Sequence, residues 1–149
     1  MTIGKRTSFI CLCLCLCLFL FSLVACSPSN TTINKKNDAI VKGTRISNLD
    51  KFEQFVWNVE QGKVDEIRIV QYTDEGDPVF QTLEHSGKDI LYVLDSRQDK
   101  FAGEDKRLYK DSCKRIVKEQ RESQTAYRLI DCVNENGRNG YDLLYVPKK

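Results

Sequence analysis

The chain has 149 residues, with 23 Lys and Arg against 21 Asp and Glu, a length that suits one modest domain. Two of the basic residues and none of the acidic ones fall in residues 1–25, so the remainder carries 21 of each sign. A balanced chain with interspersed charges lacks the basic footprint of a nucleic-acid binder and gives no electrostatic case for one.

Lys5 and Arg6 precede an uncharged run from Phe9 to Val24. Within it, Cys11, Cys13, Cys15 and Cys17 alternate with leucine and serve as small hydrophobes. A charged start, an apolar stretch and a small-residue cleavage site make an export signal. The stretch ends in Leu23-Val24-Ala25-Cys26, which resembles the lipobox of bacterial lipoproteins. That resemblance implies a signal peptide over residues 1–25, cleavage before Cys26, and diacylglycerol on the Cys26 sulfur, a lipid anchor bearing fatty acids such as palmitate. The alternative is a retained transmembrane helix, since Phe9 to Cys26 holds 18 apolar or small residues, at the lower edge of the roughly 17–25 needed to span. Either way Lys5 and Arg6 stay inside and the rest of the chain lies outside. Residues 26–37 then read as a lipidated cysteine and a flexible tether, its eleven residues from Ser27 to Asn37 spanning roughly 18 Å. The Asn30-Thr31-Thr32 glycosylation triplet within them is read as chance.

Residues 38–149 form the expected extracytoplasmic domain. Ala39 to Ile46 reads as a first strand. A helix follows at about 48–61, with Ser47 or Asn48 as cap, Asp50 and Glu53 near its start and Gly62 at its end. Leu49, Phe52, Val56 and Val59 recur on one face, with Phe55 and Trp57 beside them, a stripe read as core rather than as a ligand site. The period then changes to two. Val64 to Thr73 sets Ile67 and Ile69 against Val70 and Tyr72, and Thr73 to Pro78 is a turn by composition. Val79 to His85 and Asp89 to Asp95 form a hairpin around Ser86-Gly87. The second of these strands is apolar on both faces and is placed in the sheet interior. A polar excursion (Ser96 to Lys106), a further hairpin, a loop (Asn134 to Gly140) and a last strand (Tyr141 to Val146) complete the chain. The pattern predicts an α+β fold: one amphipathic helix on a largely antiparallel sheet of about six to seven strands.

Of seven cysteines, four lie in the signal and one takes the lipid, leaving Cys113 and Cys132. In an oxidising compartment an even pair defaults to a disulfide. A hairpin centred between Glu122 and Ser123 sets Cys113 opposite Cys132, Ile116 opposite Leu129 and Lys114 opposite Asp131. The spacing disfavours a redox-active or metal-binding thiol pair, because there is no Cys-x-x-Cys and only one histidine, His85.

Leu49-Asp50-Lys51-Phe52, Asn58-Val59, Gly62-Lys63, Asp65, Ile67-Arg68-Ile69 and the run Tyr72-Thr73-Asp74-Glu75-Gly76-Asp77-Pro78 resemble a family of lipoproteins from bacilli built on one domain of unknown function. The Tyr-Thr-x-Glu-Gly-Asp-Pro run is its signature, and the cysteine pair is similar too. The resemblance implies a Gram-positive host and a place at the cell envelope, on the extracytoplasmic face of the membrane. It implies no activity.

Asp74, Glu75 and Asp77 offer oxygens of the kind calcium takes, yet lack the distal glutamate of a calcium loop. They read as a solvated turn. Glu84 and His85 sit at a hairpin end, where a lone histidine is expected at the surface. No Gly-x-Ser-x-Gly, His-Glu-x-x-His or phosphate loop occurs. Catalytic residues, metal ligands and a cofactor are therefore not assigned. Tyr72, Tyr92, Tyr109, Tyr127, Tyr141 and Tyr145 would suit a binding surface if exposed. Three functions follow: a non-enzymatic module binding an envelope protein or polymer, a carboxylate-dependent hydrolase of such a polymer, and an immunity-type protein sequestering one partner.

Overall fold

The computed structural model describes residues 32–103, 107–134 and 139–148. The expected export signal, Cys26 and residues 27–31 lie outside the described residues. A compact unit begins at Thr32. Its elements are β1 (Ala39–Lys42), β2 (Arg45–Ser47), α1 (Leu49–Glu60), β3 (Asp65–Tyr72), β4 (Pro78–His85), β5 (Ile90–Asp95), β6 (Leu108–Cys113), β7 (Arg115–Gln120), β8 (Gln124–Ile130) and β9 (Tyr141–Pro147). The helix and the disulfide are as the sequence implies, but the fold is richer in strands. Instead of one sheet of six or seven strands there are two, ordered β2-β1-β3-β4-β5-β6 and β7-β8-β9.

The extra strand at the start arises at Gly43, whose φ of 57° lies in the left-handed region. The stretch Ala39 to Ile46 therefore folds back on itself, pairing Lys42 with Arg45 and Ile40 with Ser47, instead of running on as one strand. β1 also lies parallel to β3, with Ala39 beside Ile69, and α1 belongs to the connection between them. Every other pairing is antiparallel. The interior place expected for the second strand of the Ser86-Gly87 hairpin is met, since β5 lies between β4 and β6.

The helix forms on its apolar period, burying Phe52, Phe55 and Val56. Each buried side chain of this size contributes roughly 1.5–3 kcal/mol. Its start departs from expectation. Asn48 makes no side-chain cap and is itself left-handed, at φ 56°. Its amide instead donates to Lys35 O at 3.0 Å and Asp38 O at 2.7 Å. That bond belongs to a wider set. Asn34 N donates to Asp38 Oδ2, Asp38 N to Asn34 O, and Arg68 to Thr32 O. Residues 32–37, read from composition as tether, are thus hydrogen-bonded into the domain.

The two sheets are joined where β6 becomes β7. Only Lys114 separates them, yet Cys113 faces Ile90 while Arg115 faces Ile130. The predicted hairpin register is met, with Ile116 opposite Leu129. Cys113 and Cys132 form the disulfide, with Cα atoms 4.0 Å apart. The expected Lys114–Asp131 pair does not form. Asp131 is left-handed at φ 56°, which breaks the ladder there. Its carboxylate takes Arg115 instead, while Lys114 reaches Asp89. One core spans both sheets: Phe52, Phe55, Ile67, Ile69, Leu83 and Ile90 pack with Cys113, Tyr127, Leu129, Leu143 and Leu144. Phe52 meets the Tyr127 ring edge-on at 5.1 Å. Among the described residues no helix is long and apolar enough to cross a membrane.

Candidate functional site

Alternation along the strands sends a polar row into the interior of the larger sheet. Opposed residues run Leu83–Tyr92–Asp111 across β4, β5 and β6, with Gln81–Leu94–Tyr109 beside them. Tyr141 from β9 stacks on Tyr92, centroids 4.6 Å apart, and its hydroxyl donates to Asp111 Oδ2 at 2.6 Å. Tyr109 and Tyr141 hydroxyls lie 2.7 Å apart, and Tyr92 donates to Gln81 Oε1 at 3.3 Å. The other Asp111 oxygen accepts the backbone N–H of Ser112 at 2.7 Å and of Asn134 at 3.1 Å.

Asp111 is buried, and burial alone would raise its pKa. The bonds from Tyr141 and from the Asn134 and Ser112 backbone outweigh this and hold the carboxyl below its ordinary value. Tyr141 and Tyr92 are pushed well above the ordinary tyrosine range, chiefly by burial. A carboxylate satisfied in this way is a structural anchor. It also lies within 4.8 Å of both disulfide sulfurs. A negative charge there opposes formation of a thiolate, so it disfavours opening of the bond.

A second feature lies at the end of β1 and β3. An open groove of about 370 Å³ is lined by Val41, Lys42, Gly43, Gln71, Tyr72, Thr73, Asp74 and Gly76. The Lys42 ammonium stands 5.6 Å from the Tyr72 ring centroid. The turn forming one wall is closed by Thr73 N to Asp77 O and Gly76 N to Thr73 O, both 2.9 Å. An aromatic ring with charges of both signs in an open groove fits a polar ligand better than an apolar one.

The candidates read from sequence scatter. Asp74 and Glu75 are exposed as expected, but Asp77 is buried and not part of a solvated turn. It accepts both the backbone N–H and the ammonium of Lys100, at 2.9 and 3.1 Å, because the 96–103 loop folds back over the turn. The three acids therefore do not converge. His85 is likewise buried, not at the surface, with Nδ1 2.7 Å from Lys63 O. It ties the end of β4 to the segment leaving the helix, while Glu84 is exposed. Tyr92 and Tyr127 are buried, and of the six tyrosines only Tyr145, at 38 %, is exposed by more than about a third. Sequence reasoning missed Asp111. Its signal was the spacing of Tyr109, Asp111 and Cys113, which places all three on one strand face.

A family model of a domain of unknown function, DUF4362, matches residues 36–128, more than half of the chain. The chain belongs to the DUF4362 family. Both features fall mostly inside the matched span, since Lys42, Tyr72, Asp74, Tyr92, Tyr109 and Asp111 lie within it. Tyr141 and Cys132 of this DUF4362 chain lie beyond it. No curated protein and no solved structure matches the chain.

Proposed function

We propose that the chain is an exported lipoprotein of a Gram-positive bacillus, anchored through lipid on Cys26. Its domain works outside the membrane as a non-enzymatic binding module for an envelope protein or polymer. The observation that carries this reading is the Cys113–Cys132 disulfide within the core, which suits a compartment outside the reducing cytosol. The lipobox-like Leu23-Val24-Ala25-Cys26 and the Tyr72 to Pro78 run support the anchor and the host. The groove beside Lys42, Tyr72 and Asp74 supports binding, and the saturation of Asp111 favours a structural role for that acid.

Two experiments test it. Fatty-acid labelling is compared between wild type and Cys26→Ala; label persisting in the variant removes the anchor. Capture from cell envelopes is compared between wild type and Lys42→Glu/Asp74→Lys. The reading expects a specific partner with wild type, lost with the variant. Equal capture by both takes binding away from the groove.

A further inference from the structure

Charge is unevenly spread along a chain whose mature part is neutral. Residues 32–51 hold five basic residues, Lys35, Lys36, Lys42, Arg45 and Lys51, against Asp38 and Asp50. The excess of three positive charges is balanced by three negative ones over residues 52–149. Folding concentrates part of that excess. The turn Asn34–Asp38 is stitched to Asn48 through Lys35 O and Asp38 O, and Lys51 Nζ reaches Asn37 Oδ1 at 3.1 Å. Lys35, Lys36 and Lys51 thus come together at the start of α1, all exposed. Asp38 does not offset them, because its carboxylate is buried against Arg68 at 2.6 Å; the exposed Asp50 in the first turn of α1 offsets one of the three, leaving the face net positive. Among the described residues none of the three lysines is ion-paired.

This cluster sits where the chain joins the domain. Only residues 27–31 separate Cys26 from Thr32, a span of roughly 20 Å at full extension and about 13 Å as a flexible chain. We propose that the Lys35–Lys36–Lys51 face docks on the anionic phospholipid headgroups of the bilayer that holds the anchor. The inference rests on the lipid-anchor reading. Surface attraction decays over about 8 Å at physiological salt, so only groups close to the tether feel it. The anchor also keeps the face at high effective concentration, so weak contacts suffice. The domain then lies down on its basic end and turns its acidic remainder outward.

The chain's single tryptophan, Trp57 on α1, is half exposed and serves as the probe. The lipidated protein is reconstituted in phosphatidylcholine vesicles with or without phosphatidylglycerol, each carrying a dansyl headgroup acceptor. Flotation reads the anchor, and energy transfer from Trp57 reads the posture. Docking predicts flotation with both vesicle types but greater transfer with phosphatidylglycerol. Raised salt, or Lys35→Glu/Lys36→Glu/Lys51→Glu, should return transfer to the neutral-vesicle value. Each lysine contributes about fivefold to docking. Flotation with equal transfer in both vesicle types overturns docking and leaves the anchor standing. Failure to float overturns both. The salt arm leaves the chain unaltered, so it does not depend on the variant's fold.

Discussion

Tyr141→Phe isolates the hydroxyl that meets Asp111. The ring keeps its stack on Tyr92, so little packing is lost. What goes is a 2.6 Å bond to a buried carboxylate, leaving that oxygen with only the Tyr109 hydroxyl at 3.4 Å. Hydrogen bonds to charged groups contribute about 1.5–3 kcal/mol, so about 2 kcal/mol of stability should disappear at neutral pH. Urea unfolding with the disulfide intact measures it, and the melting temperature should fall by roughly 8 °C. The pH dependence adds a sign. Because the folded Asp111 pKa is depressed, its contribution is complete above the unfolded value of about 3.9 and is lost as pH falls through the folded value. Tyr141→Phe brings the folded value nearer the unfolded one. The gap between wild type and variant should therefore narrow below about pH 4. A loss under about 0.5 kcal/mol at neutral pH, or a gap constant with pH, refutes the assignment of Asp111 as a charged anchor.

Gly140→Ala should be the harshest small substitution: an added Cβ would stand 2.2 Å from Leu129 O, at a φ of 78°, so the unfolding free energy measured in urea should drop by more than the 1–3 kcal/mol typical of backbone strain alone. Phe52→Ala should cost about 3–5 kcal/mol, read by thermal melting, because the ring is fully buried where the helix meets Tyr127. Asp38→Ala should cost about 3–5 kcal/mol by leaving the Arg68 guanidinium without its carboxylate, and Asp38→Ala/Arg68→Met should recover much of it; equal losses for single and double variants would deny the ion pair that role.

The helix and the disulfide hairpin were legible in the sequence because each rests on local periodicity. Leu49, Phe52 and Val56 recur at helical spacing, and one turn centre aligned Cys113, Ile116, Leu129 and Cys132. What escaped depends on contacts distant in sequence. Asp77 looks like any turn acid until the 96–103 loop brings Lys100 back to it. His85 is a hairpin end in sequence but lies beneath the chain leaving α1. Lys114 and Asp131 are opposed by the same turn centre, yet Asp89 and Arg115 are better placed, because Asp131 bends the ladder. Two strands went uncounted. A left-handed glycine at position 43 turned one strand into two, and Leu108–Cys113, polar by composition ahead of the disulfide hairpin, forms β6 along the edge of β5.

The family match closes at Arg128, while β8 runs on to Ile130. The matched span therefore ends short of the folded unit. A fragment cut at the end of the match would lack Leu129, Leu143 and Leu144 from the core and Cys132 from its staple. It would leave Cys113 as a lone thiol and β8 without β9 along one side, an open edge of the kind that templates aggregation. Anyone expressing the domain should carry it through Pro147, the last residue of β9.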